Sequence, residues 1–264
     1  MNVYFRELRA YRKSTLFWCL GMVFLIGATM AKYQGLGTAA QFNEMMMQMP
    51  PAMLAIFGMN MLDFGRASGF FGVAYLFLAL MAAVHAVLLG SGIVSKEERD
   101  RTSEFLFVKP VTRSQVVTAK ALAALTNVVI FNLVTMVSSL VIVDKYSNGE
   151  DVSGYIMVLM GGMFFIQLIF LAVGLAAAAV TDRPKAASGI ATGFMLFTFP
   201  LSAAVDINEN LSPLKYLTPF KYFDAKALYD SMGLAAGYVA LSAVLIVAFT
   251  AATYVFFRRR DLRI

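Results

Sequence analysis

The sequence predicts an all-α integral membrane protein with six membrane-spanning helices, and three observations carry that prediction. Of 264 residues, 59% are hydrophobic and only 14% charged, whereas soluble domains run near ~45–50% apolar and ~25% charged. Apolar runs recur at about 15–31, 70–94, 121–143, 155–180, 186–205 and 233–257, with lengths of 17, 25, 23, 26, 20 and 25 residues. A helix needs ~20 residues, range ~17–25, to cross the hydrocarbon core. Finally, lysine and arginine collect on alternate connections between the runs.

That third observation sets orientation. With the N-terminus inside, the inner segments 1–14, 95–120, 181–185 and 258–264 hold 16 of the 22 basic residues; the outer segments 32–69, 144–154 and 206–232 hold 6. Basic residues favour the cytoplasmic side, so both termini are expected there. Topology therefore accounts for the net charge of +6 better than nucleic acid does. The one cysteine, Cys19, excludes an intrachain disulfide.

The elements follow in order. In residues 1–14, Tyr4, Phe5, Leu8 and Tyr11 are expected on one face, with Arg6, Arg9 and Lys13 on the other. That is the pattern of a helix lying on the bilayer surface. The first run, 15–31, has a basic flank, but Ala28-Thr29-Met30-Ala31 lacks a small-x-small cleavage pattern, so it reads as a retained signal anchor. The outer segment 32–69 contains Met45, Met46, Met47, Met49 and Met53, too apolar for a solvated linker; short helices against the membrane are expected. Thioethers are soft ligands for Cu(I), but methionines in apolar company mostly fill packing gaps.

The third run, 121–143, carries Asn127, Asn132, Thr135, Ser138 and Ser139. Asn132, Thr135 and Ser139 share one helical face. Polar groups in lipid require a partner, so this face is expected to point at another helix or at a translocation path, as is His85 in the second run. The fourth and fifth runs are joined only by Thr181–Lys185. Gly174 with Ala178, and Gly189 with Gly193, are small-residue pairs that permit close helix approach. Pro200 removes a backbone donor near the end of the fifth run. Segment 206–232, with Pro213, Pro219 and five aromatic residues, suits the membrane surface or broken helices re-entering it. Residues 258–260, all arginine, anchor the last run.

The most charged stretch is 95–113. Ser95 with Glu98 and Thr112 with Gln115 have the spacing of helix-capping boxes, and Pro110 disfavours helix just before it. The expectation is a helix, a break, and a second helix entering the third span. Glu97 with Arg101, and Lys96 with Asp100, are i, i+4 ion pairs, with Phe105 and Val108 on an apolar face. The stretch reads as a rigid amphipathic lever, and a solvated loop is the alternative.

Catalysis finds little support. There is no G-x-x-x-x-G-K-[ST] phosphate loop, and no loop exceeds 38 residues, too short for a domain of ~100. An intramembrane metalloprotease would use Glu97, Glu98 and several histidines, but His85 is the only histidine and zinc needs more ligands. No metal site is expected.

Three stretches resemble a known family. RELRAYRKSTLFW (6–18) is similar to the basic N-terminal elbow of ABC-2 type ABC transporter permeases. KEERDRTSEFLFVKPVTR (96–113) is similar to their E-E-x-x-G-T-x-E-x-L-L-x-x-P-V-x-R signature. KYLTPFKYFD (215–224) is similar to their outer aromatic-proline segment. The second match departs where Arg101 replaces glycine and Phe107 replaces leucine.

The resemblance implies a type V ABC exporter-like fold: six transmembrane helices, an N-terminal interfacial helix, short outer helices, and a cytoplasmic coupling helix between spans two and three. It also implies a separate ABC ATPase subunit that binds ATP and Mg2+, a second permease copy or paralogue, and a bacterial plasma membrane. Glu97, Glu98, Arg101, Thr102, Glu104, Phe105, Pro110 and Arg113 are the expected coupling residues, and Asn127, Asn132, Thr135, Ser139 and His85 the path or packing residues. Cargo would be a lipid, peptide, antibiotic or similar amphipathic compound. The alternatives are a target-protection complex that senses or dislodges an antibiotic without net transport, and a secondary transporter, which the lack of Asp or Glu in the six runs disfavours.

Overall fold

The computed structural model describes residues 3–35, 48–50, 53–54, 65–99, 112–181 and 183–259. Among these, every regular element is helical. They are α1 Val3–Gly35, α2 Ala67–Arg99, α3 Arg113–Tyr146, α4 Ser153–Val180, α5 Pro184–Ile207, a 3₁₀ helix Glu209–Leu217, α6 Pro219–Tyr222, α7 Ala225–Ser231 and α8 Ala236–Arg259. Six of them, α1 to α5 and α8, are long and apolar enough to span a bilayer. The protein is an all-α integral membrane protein, as its apolar periodicity predicts.

The centre of the bundle is the α2–α4 pair. In each, 67% of the most apolar stretch is buried, against 11% in α8. Two glycines explain their contact. A Cβ on Gly90 would lie 2.5 Å from the Leu171 carbonyl oxygen, and one on Gly174 would lie 2.6 Å from the Val87 oxygen. Backbone therefore meets backbone, as small residues allow in membrane helices. Ala178, one turn beyond Gly174, is fully buried too. By contrast, Gly189 and Gly193 of α5 have no atom within 4 Å of a built Cβ, so that pair packs against nothing described in this chain.

Helix α1 differs from expectation. Residues 3–14 of the amphipathic segment and the first span are not separate pieces; they belong to one helix of 33 residues. At 1.5 Å per residue that is roughly 50 Å, longer than the ~30 Å hydrocarbon core. Its inward face is Tyr4, Leu8, Tyr11, Cys19, Met22, Ile26 and Met30, a continuous 3.6-residue stripe with no breaker inside it. Phe5 is turned outward, 64% exposed, while Glu7 is wholly buried. An ionic contact, described below, outweighs the apolar one there.

Helix α2 also extends further than predicted. Ser95 does not cap a new helix: it lies inside α2, and its hydroxyl donates to the Ser91 carbonyl (2.6 Å). Such i−4 back-bonding satisfies a serine without ending the helix. The second predicted box is present. Thr112 caps α3, its hydroxyl accepting from the Gln115 amide while the Gln115 side chain accepts from the Thr112 amide. A tight turn then leads into α4, with Asn148 and Gly149 at φ 52° and 90°, the left-handed region these residues tolerate. Helix α5 continues through Pro200.

The segment after α5 is broken into the 3₁₀ helix, α6 and α7, as its prolines predict. The Thr218 hydroxyl donates to the buried Thr198 carbonyl (2.9 Å). Thr198 lies nine residues before the end of α5, roughly 14 Å along the axis. Phe220 packs on Phe170 and Phe199, and Phe223 reaches Phe165. Hence the segment turns back into the bundle. Lys221 is anchored there by Asp206 (2.5 Å) and Asp224 (3.4 Å).

Candidate functional site

Five charged residues from three helices meet at the end of the bundle that gathers the starts of α1 and α3 and the end of α2. Arg6 bridges Glu7 (2.8 Å) and Glu97 (2.5 Å). Lys96 reaches Glu7 at 3.4 Å and lies 5.7 Å from the Tyr11 ring centroid, a cation–π distance. Lys120 of α3 donates to the Glu97 carboxylate and to the Ile93 carbonyl. The side chains of Glu7, Glu97 and Lys120 are 0%, 9% and 1% exposed. Buried charges are tolerated only when paired, and each of these is.

This network relocates one predicted residue. Glu97 was expected on an exposed lever, paired to Arg101 four residues on. It faces inward, and among the described residues it pairs with Arg6 and Lys120, 91 and 23 residues away in sequence; Arg101 lies outside them. Lys96 reaches Glu7, and Asp100, its expected partner, lies outside the described residues. Glu98 falls on the last turn of α2 with its side chain outside the described residues, as are Arg101, Thr102, Glu104, Phe105 and Pro110. Arg113 opens α3, and its guanidinium donates to the Arg258 carbonyl (3.3 Å). The last helix is thereby drawn to the same end, where Tyr254 and Thr118 also share a hydrogen bond (2.7 Å).

Glu7 and Lys120 were not singled out from sequence, and Arg6 was expected only on the basic face of residues 1–14, not against Glu7 and Glu97. Lys120 had a readable signal: with Val116, Val117, Ala123, Ala124 and Asn127 it forms one buried stripe on α3. A lysine on such a stripe demands a counter-charge. Glu7 had the same signal, an acid at the spacing of the inward α1 face.

A second group of predicted residues lines the bundle interior. The Asn132 amide donates to Gln167 (3.1 Å) and to the Met160 carbonyl (3.3 Å). Thr15 donates to the Asn127 side-chain oxygen (2.5 Å), and Asn127 to the Ala123 carbonyl. Thr135 bonds back to Phe131. The Ser139 hydroxyl and the His85 Nδ1 are buried without a hydrogen-bond partner among the described residues. His85, expected to face another helix or a path, stacks among rings, 4.6 Å from Phe131 and 5.4 Å from Trp18. Asn127 and Asn132 thus join helices: α1 to α3, and α3 to α4.

A bundle of six long apolar helices, with a charged knot where two of them flank residues 100–111, is the frame of a multi-pass membrane protein. The ABC-2 family transporter protein model matches residues 1–262, and the chain belongs to that family. Proteins of this family are membrane subunits that normally work with an ABC ATPase. Comparison with curated proteins returns no match.

Proposed function

We propose that this chain is the permease subunit of an ATP-driven exporter, with both termini cytoplasmic and residues 95–113 coupling it to a separate ABC ATPase subunit. ATP and Mg2+ belong to that partner, and this chain provides no catalytic group. The observation that supports the reading best is the paired geometry of the helix ends. The end of α2 and the start of α3 are joined by a buried ionic contact, so force applied to residues 100–111 enters two spans together. One of these, α2, is welded to α4 through Gly90 and Gly174, so the same displacement reaches the bundle centre. Closely packed interfaces switch between discrete arrangements and do not deform smoothly, which suits a transport cycle. A second permease copy completes the path, and the open Gly189–Gly193 face of α5 is available to it.

The cargo class is amphipathic: lipid, peptide or antibiotic. The test is efflux from membranes carrying the chain alone, the ATPase subunit alone, or both. ATP-dependent efflux of a fluorescent amphipathic dye only when both are present supports the reading. Equal efflux from the chain alone would overturn it. Protection from an antibiotic without any efflux would favour target protection instead.

A further inference from the structure

We infer that Lys120 is a positioning residue for coupling: its buried ammonium clamps the end of α2 to the start of α3, so that the helix ends flanking residues 100–111 move as one body. The inference rests on the coupling reading above and assigns its mechanical part to one side chain.

The geometry is specific. Lysine is almost never fully buried unless paired, and Lys120 is 1% exposed. Both of its partners lie on α2, one turn apart: the Ile93 carbonyl and the Glu97 carboxylate. Two bonds on successive turns fix how far α3 can slide along α2 and how it is rotated. Apolar side chains alone would leave both freedoms soft. The Glu97 carboxylate then passes the connection to Arg6 and Glu7 of α1, with Lys96 closing the circuit. Lys120 ties α3 to Glu97, so its loss removes that link between α3 and the knot.

Stability alone does not call for such a pair. Apolar residues of similar volume serve a fold as well as, or better than, a buried ion pair; fixing register is the better-attested use of one. Lys120 also lies four residues past Val116, on the buried stripe of the capped first turns of α3. A displacement of residues 100–111 therefore meets the clamp before it meets the membrane-embedded part of either helix.

The experiment needs no cargo. A cysteine is placed at Lys145, exposed near the far end of α3, in a Cys19→Ala background. The permease, copurified with its ATPase subunit, is reconstituted in phospholipid vesicles. Labelling by a membrane-impermeant maleimide is timed with and without ATP plus vanadate. The parent and Lys120→Arg should show a nucleotide-dependent change of at least about threefold. Lys120→Met and the double variant Glu97→Gln/Lys120→Met should lose it while still accumulating in the membrane. The double variant leaves no unpaired buried charge, so it separates folding from positioning. A full nucleotide response in Lys120→Met, or in the double variant, overturns the clamp. Failure of both neutral variants to accumulate in the membrane also overturns it, making the pair a folding requirement. A parent that shows no nucleotide response counts against the coupling reading itself.

Discussion

Replacing Gly174 by alanine adds one methyl group to the α2–α4 crossing. That methyl would lie 2.6 Å from the Val87 oxygen and 2.8 Å from the Ser91 nitrogen. Ordinary contact begins at 3.4 Å, so the first approach is about 0.8 Å too close. Both obstructing atoms are main chain, and neither can turn away as a side chain would. The helices must separate or tilt, and forced shifts of this kind cost ~1–3 kcal/mol, roughly a 5- to 150-fold fall in the folded-to-unfolded ratio at 1.4 kcal/mol per tenfold. Gly90→Ala should behave alike, with its Cβ 2.5 Å from the Leu171 oxygen. Because both changes open the same crossing, the double variant should cost less than the sum of the two. Gly189→Ala is the control, since nothing lies within 4 Å of it; its effect should stay within ~0.5 kcal/mol. Thermal or denaturant unfolding of the purified chain in detergent reads all four. A Gly174→Ala variant as stable as the parent, or a Gly189→Ala variant equally damaged, would refute the reasoning.

Two further outcomes can be measured alongside. Asn132→Leu removes the side-chain bond to Gln167, whose Nε2 already lacks a partner; interhelical bonds in membranes average ~0.6 kcal/mol, at most ~1.7, so a loss of about 1 kcal/mol in the same unfolding assay is expected, and none would show that the contact is idle. Lys221 is held above the ordinary lysine value: burial opposes its charge, but Asp224 and Asp206 outweigh burial. A raised folded value means that the latch contributes fully below the unfolded lysine value of ~10.4 and is lost as pH rises through the folded one. Melting temperature in detergent should therefore drop more steeply above about pH 10.4 in the parent than in Lys221→Met; identical alkaline profiles would count against the latch.

The parts of this structure legible in sequence are those set by local chemistry. Apolar runs of spanning length became six long helices, because backbone groups in lipid leave few alternatives to a helix. Pro213 and Pro219 announced the broken segment after α5. Thr112 was legible as a cap because Pro110 stops any helix arriving from the N-terminal side. Ser95 has the same cap-like spacing, yet nothing before it breaks α2, and its hydroxyl is satisfied by the preceding turn. The charged contacts were less legible for a different reason. Glu97 has a plausible partner four residues away, and nothing in that spacing announces Arg6 and Lys120, which its buried site draws from other helices. A sequence pattern shows which charges are near in the chain, not which are drawn together across 91 residues. Phe5 yielded its inward place to Glu7 by the same cause. Residues 101–110, the heart of the family-like signature, lie outside the described residues.

The central claim is that residues 95–113 receive force from an ATPase subunit. Glu97 is buried in the ionic knot, so the acids to reverse are Glu98 and Glu104. Both should be changed to lysine in an affinity-tagged chain coexpressed with the ATPase subunit. The measurement is the amount of ATPase retained by a fixed amount of permease at physiological salt. The account predicts at least about a tenfold loss, with α-helical content and detergent stability unchanged. Full retention of the ATPase by the double reversal, with ATP-dependent efflux intact, would contradict it.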